Sequence, residues 1–152
     1  MECTVKWGGL ATHAQPATQT SGMRFEAHTA SGHIAVMDGA VEGGGNNTAP
    51  RPMELVLAGT GGCTAYDVVL ILKRGRADVH GCEVKLTATR AETDPKVFQT
   101  IHFHFTISGK GLKPEVVARA VNLSHDKYCS ASIMLAHSVK ISHSVEVIEV
   151  AG

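Results

Sequence analysis

Hydrophobic and polar positions alternate with period two through most of this chain, and one long apolar stretch breaks the alternation. Cys3, Val5 and Trp7 alternate with polar residues, and Met23, Phe25 and Ala27 alternate with Arg24, Glu26 and His28. Both patterns predict short strands with one apolar face, with Cys3 a passive member of the first. Ile34 and Val36 continue a strand into Asp38-Gly39, a turn signal. Farther on, Cys82, Val84, Leu86 and Ala88 alternate with Glu83, Lys85, Thr87 and Thr89, so Cys82 is expected as a buried structural thiol. Asp94-Pro95 turns the chain, and Val97, Gln99, Ile101, Phe103, Phe105 and Ile107 then share one strand face, with His102 and His104 on a solvated face. In the last strand Val139, Ile141, His143, Val145 and Val147 point inward, which predicts a satisfied core histidine at position 143.

The stretch that breaks this pattern runs from Pro52 to about Arg74. Pro52 and Glu54 suit the first turn of a helix, and Lys73-Arg74-Gly75 suits its end. The segment is apolar nearly all round, which predicts a central, buried helix. Gly59, Gly61 and Gly62 lie inside it, beside Cys63. Each glycine costs about 1 kcal/mol relative to alanine. Two explanations stand: a close contact that only glycine permits, or access for a substrate or partner backbone to the Cys63 thiol. Glu54 lies nine residues before Cys63 and so on the opposite side of an ideal helix. A glycine kink or a second subunit would have to bring them together.

Pro114-Glu115 opens a second helix carrying Val116, Val117, Ala120, Val121 and Leu123. A third is expected from about Asp126, with Cys129, Ile133 and Ala136 on its apolar stripe and Cys129 in its first turn. Residues 8–22 and 43–48 read as connectors, the second a flexible lead into the central helix. The order predicts one α+β domain over residues 1–152: an N-terminal β-hairpin arm over 1–48, the central helix over about 52–74, and a C-terminal ββααβ segment over 79–148. The sheets are expected to be mainly antiparallel.

Bulk properties remove several function classes. Lys plus Arg number 14 and Asp plus Glu number 14, so no basic field points to nucleic acid or an anionic membrane. The aromatic share of 5% argues against base-stacking platforms. No apolar leader follows Glu2 and Lys6, and Glu54, Asp67 and the glycines interrupt the central run, so neither secretion nor a membrane span is expected. Cys3, Cys63, Cys82 and Cys129 are scattered without a CxxC spacing, which suits a cytoplasmic chain with one functional pair. His102 and His104 lack partners at zinc-site spacing, and no metal or organic cofactor is expected.

Thiol chemistry is what the polar residues support. Cys63 lies in the glycine-interrupted helix, and Cys129 lies near a helix N-terminus, where the dipole favours a thiolate. Peroxide oxidises a thiolate to a sulfenic acid, which a second thiol condenses into a disulfide. An arginine would stabilise the anion and a carboxylate would orient that arginine, with Arg24, Arg51 and Glu54 as candidates. Asp67, one turn after Cys63, opposes thiolate formation by its charge and reads as a buried structural acid.

Pro52-Met53-Glu54-Leu55-Val56-Leu57 followed by Gly61-Gly62-Cys63-Thr64-Ala65-Tyr66-Asp67-Val68-Val69 resembles the signature of the OsmC/Ohr family of thiol peroxidases. Ser31-Gly32-His33, Met37-Asp38-Gly39 and Lys127-Tyr128-Cys129-Ser130 make the chain similar to the family's YhfA-like branch, over about Val5 to Val147. The resemblance implies an OsmC-like fold, with antiparallel sheets around a long central helix in an intertwined homodimer. It also implies Cys63 as peroxidatic thiol, Cys129 as resolving thiol and Glu54 as acidic partner of an arginine. The implied activity is reduction of organic hydroperoxides, with a dithiol as reductant. The peroxidase branches carry Cys-Pro where this chain has Cys129-Ser130, and Arg24 lies near their arginine position without matching its motif. The alternative is a homodimer that senses redox state or binds a small apolar ligand without turnover.

Overall fold

The computed structural model describes residues 1–8 and 22–150, so most of the connector expected over 8–22 lies outside the described residues. The described chain divides into two compact units, Met1–Val56 and Leu57 onward, with the cut inside the central helix.

In the first unit β1 (Cys3–Trp7), β2 (Phe25–Thr29) and β3 (Ile34–Met37) form an antiparallel sheet in that order. The alternation is present, yet every residue of β1 is exposed, Cys3 included, and Ala27 is the only buried apolar side chain described in this unit. The lead into the central helix is not the flexible connector expected. Asp38 is buried and accepts hydrogen bonds from the N–H groups of Gly39 (2.7 Å), Asn46 (3.2 Å) and Thr48 (3.0 Å) and from the Thr48 hydroxyl (2.8 Å). These donors, Thr48 foremost, pull its carboxyl down to about 2. A Cβ on Gly45 would collide with the Gly39 backbone, so glycine is needed there for the close approach.

The long helix, α1 (Pro52–Arg74), is continuous α-helix through its glycines. It opens with half of a capping box: Glu54 Oε2 accepts the Arg51 N–H at 2.9 Å. It has the length and hydropathy of a membrane span, but in the second unit a Thr60–Thr64–Val68–Leu72 row, one residue per turn, is buried. The expectation of an all-round buried helix is corrected here: Tyr66 is 70% exposed and Val56 43% exposed.

β4 (Asp78–Arg90), β5 (Phe98–Lys110) and β6 (Lys140–Glu149) make the second sheet, in that order. β4 and β5 are antiparallel, and β6 runs parallel to β5, the one parallel pairing in sheets that are otherwise antiparallel, as expected. The two helices between β5 and β6 form a crossover that returns the chain to the same end of the sheet. Ile101, Phe103, Phe105 and Ile107 are wholly buried on one face of β5. At the start of β5 the phase differs from expectation: a register shift between Thr89 and Arg90 turns Phe98 inward and leaves Val97 and Gln99 exposed. His102 and His104 occupy the opposite face, hydrogen-bonded to Ser142 and Ser144.

α1 lies so close to this sheet that a Cβ on Gly61 would stand 2.6 Å from Leu86 Cδ1. Close packing therefore accounts for Gly61. Gly59 and Gly62 face open space among the described residues. α2 (Pro114–Leu123) buries Val117, Ala120 and Val121.

Candidate functional site: a thiol pair beside a π-helical turn

The segment after α2 departs most from what periodicity implied. Ser124–Tyr128 winds as a π-helical turn, closed by the Cys129 N–H donating to the Ser124 carbonyl at 2.8 Å. Cys129 itself is extended (φ −73°, ψ 99°) and is the N-cap of α3 (Ser130–Leu135). It is therefore not inside a helix that begins near Asp126, and Ala136 is exposed rather than on a buried stripe. The wider turn points the Cys129 thiol inward, where it is wholly buried and accepts the Ser132 N–H at 3.4 Å.

A buried hydroxyl pair ties this turn to the central helix. Thr64 Oγ1 and Ser124 Oγ are 2.9 Å apart, one residue after Cys63 and at the first residue of the π turn. The result is that the sulfurs of Cys63 and Cys129 and a carboxylate oxygen of Asp67 lie within 4.8 Å of one another. Asp67 is where helix geometry puts it, one turn past Cys63 on the same face. Its Oδ2 is buried without a hydrogen-bond partner.

The electrostatics hold Cys63 as a thiol. Burial pushes its pKa up from 9.0, and the neighbouring Cys129 and the Asp67 charge push the same way; the Ala131 N–H opposes them. The helix-terminus N–H groups do reach the sulfurs, as expected for Cys129, but they do not outweigh burial at Cys63. Cys82 is only half-buried, and desolvation raises its thiol as well.

The remaining candidates fall in the first unit. Arg51 and Glu54 are brought together: the guanidinium contacts Glu54 Oε1 at 3.1 Å, and the carboxyl is lowered chiefly by the Arg51 N–H. Arg24 is exposed, just before β2. Three further residues carry no signal of a role in the sequence reading. Thr64 lies in the family signature without an assigned role and Ser124 carries no motif, and their meeting depends on a sixty-residue separation. His125, in the π turn, lies edge-on to Phe103 (4.9 Å) and flat against His143 (4.7 Å, 8°), with neither ring nitrogen bonded. Desolvation, then the neighbouring His143, lowers its pKa to about 4. His143 is indeed satisfied, by Asn122 Oδ1 at 2.8 Å, but it is exposed and so not the core histidine expected.

Two cavities open along α1. One of about 480 Å³ is lined by Gly62, Ala65, Tyr66, Val69, Leu70, Lys73 and Cys82. The other, about 340 Å³, opens beside Asp67.

A sequence model of the OsmC-like protein family matches residues 44–144. Protein YhfA of Escherichia coli (strain K12) is 46% identical over 148 residues, covering 97% of this chain and 98% of YhfA. This chain belongs to the OsmC-like family. A solved structural-genomics structure, 45% identical to this OsmC-like protein, covers 99% of it and is itself covered completely, with a TM-score of 0.83. The fold extends to an organic hydroperoxide resistance protein OsmC from Legionella pneumophila, 20% identical, covering 97% of this chain and 98% of that one, with a TM-score of 0.67.

Proposed function

We propose that this OsmC-like protein is a thiol-dependent peroxidase that reduces organic hydroperoxides. The observation that carries the reading is the approach of two thiols from distant parts of the chain, Cys63 and Cys129, to within 4.8 Å. A structural relative named for organic hydroperoxide resistance supports the substrate class. The Cys63 thiolate attacks the terminal peroxide oxygen, the O–O bond breaks, and the alcohol leaves with a proton. The Cys63 sulfenic acid then condenses with the Cys129 thiol, forming the disulfide and releasing water. An external dithiol reduces the disulfide and completes the cycle. No metal or organic cofactor enters these steps.

The raised thiol at Cys63 needs a cation to become nucleophilic. We assign that task to Arg24 or Arg51, with Glu54 orienting the guanidinium, in a cytoplasmic homodimer in which a second copy covers the exposed face of α1. Tyr66 and the open positions at Gly59 and Gly62 favour such a covering. The test is titration of the reduced protein with an organic hydroperoxide, counting free thiols and mapping the disulfide. Loss of two thiols as a Cys63–Cys129 bridge is expected. Failure to consume peroxide with any dithiol sinks the reading.

The cavity of about 480 Å³ favours a second reading, a homodimer that binds a small apolar ligand or senses redox state without turnover. Combined Arg24→Ala and Arg51→Ala substitution separates the two. The peroxidase loses rate at Cys63, whereas the second reading predicts an unchanged rate.

A further inference from the structure

Asp67 has no part in the peroxidase cycle, and its charge works against it. A carboxylate oxygen buried without a donor is costly, and two thiols nearby cannot stabilise it as thiolates. All three groups are potential ligands, and their ligating atoms already lie within 4.8 Å of one another. We propose that Cys63, Asp67 and Cys129 bind a single Zn²⁺ ion, which masks the thiol pair.

A divalent cation reverses each unfavourable contact in this cluster. It draws the protons from both thiols, gives the orphaned carboxylate a partner, and turns like-charge repulsion into shared attraction. Tetrahedral zinc, with bonds of about 2.3 Å to sulfur and about 2.0–2.2 Å to oxygen, holds such ligand atoms about 3.6–3.8 Å apart. Small side-chain rotations close the cluster to that size. Two thiolates select zinc over magnesium or calcium. The fourth position is left for water, which the cavity of about 340 Å³ lined by Asp67, Leu70, Ile71, Arg74, Leu123 and Tyr128 admits.

The positions of the supporting groups suit the role. Cys63 and Asp67 are one turn apart on a rigid helix, and Cys129 is fixed by its N-cap geometry and by the Thr64–Ser124 hydroxyl pair. The Ala131 and Ser132 N–H groups, which already reach the two sulfurs, would remain as outer donors to the bound thiolates. Metal and disulfide exclude each other, because the same sulfur electrons serve both. A hydroperoxide that takes two electrons, with two protons, leaves an alcohol, water, the Cys63–Cys129 disulfide and a released ion.

The proposal rests on the three-ligand geometry and not on the peroxidase reading, so its test contains no peroxide. The reduced full-length protein is titrated with Zn²⁺ by equilibrium dialysis, and with Cd²⁺ while following thiolate-to-metal charge transfer. One ion per chain and release of about two protons are expected. Alkylation mapped by peptide should slow at Cys63 and Cys129 by at least about tenfold, with exposed Cys3 unaffected, and Asp67→Asn should weaken binding by at least about tenfold. Absence of binding, equal protection of Cys3, or an unchanged affinity in a folded Asp67→Asn protein overturns the proposal. If Asp67→Asn does not fold, the alkylation map of the unaltered protein decides.

Discussion

The two compact units solve the problem of a buried ionisable group in opposite ways. In the first, Asp38 is surrounded by four hydrogen-bond donations that hold its loop, and its carboxyl falls to about 2. The second is built on apolar packing; its Thr64 and Ser124 hydroxyls bond each other, but Asp67 Oδ2 and both nitrogens of His125 have no hydrogen-bond partner, as is the case for His28 Nε2 in the first unit. Among the described residues the first unit buries one apolar side chain, Ala27, whereas the second has a phenylalanine and isoleucine core. Buried polar groups without partners persist where the surrounding fold over-determines them, and they concentrate at working sites. The contrast places the thiol pair and the unpartnered carboxylate oxygen beside it in the second unit.

The sharpest way to break this contrast is to remove core volume. Phe103→Ala, which deletes a wholly buried ring, should cost about 3–5 kcal/mol in denaturant unfolding. A loss under about 1 kcal/mol would mean that the second unit does not depend on its apolar core.

Acid sharpens the comparison. The folded pKa of His125 lies below its unfolded value of 6.5, so the unfolded state takes up a proton first as pH falls. Stability is therefore lost between pH 6.5 and about 4, by about 1–2 kcal/mol after allowing for the ring's partial exposure. Asp38 behaves later: its contribution is present above the unfolded 3.8 and is lost as pH falls towards about 2. Hydrogen exchange at pH 5 should show weakened protection around 124–128 with the 38–48 loop intact, and His125→Phe should remove most of the loss between pH 6.5 and 4. Simultaneous weakening of both regions at pH 5 would erase the distinction.

The smallest effect is expected at the open sheet of the first unit. Val5→Thr, at a side chain 58% exposed on β1, should change the stability of the isolated chain by less than about 0.5 kcal/mol. A larger cost, growing with protein concentration, would show that β1 is covered in the homodimer proposed above.

Much of this architecture was written in local pattern. The 23-residue helix, its Pro52 start and Glu54 cap, the alternation of β4 and the α2 stripe follow from period and capping chemistry, which neighbouring residues decide among themselves. Cys63 and Cys129 were identifiable as the interesting thiols for the same reason, helped by a family resemblance. Tertiary structure decided the rest. The phase of β5 depends on a shift against β4, the direction of β6 on the crossover, and the inward turn of Cys129 on a π-helical residue count that leaves no periodic trace. The order of the 38–48 loop depends on one carboxylate meeting donors ten residues away. The sequence alone determined most of the helix and strand segments and singled out Cys63 and Cys129 as candidates for thiol chemistry. Only the fold decided that Cys63, Asp67 and Cys129 share one small volume, because their meeting depends on packing between segments more than sixty residues apart.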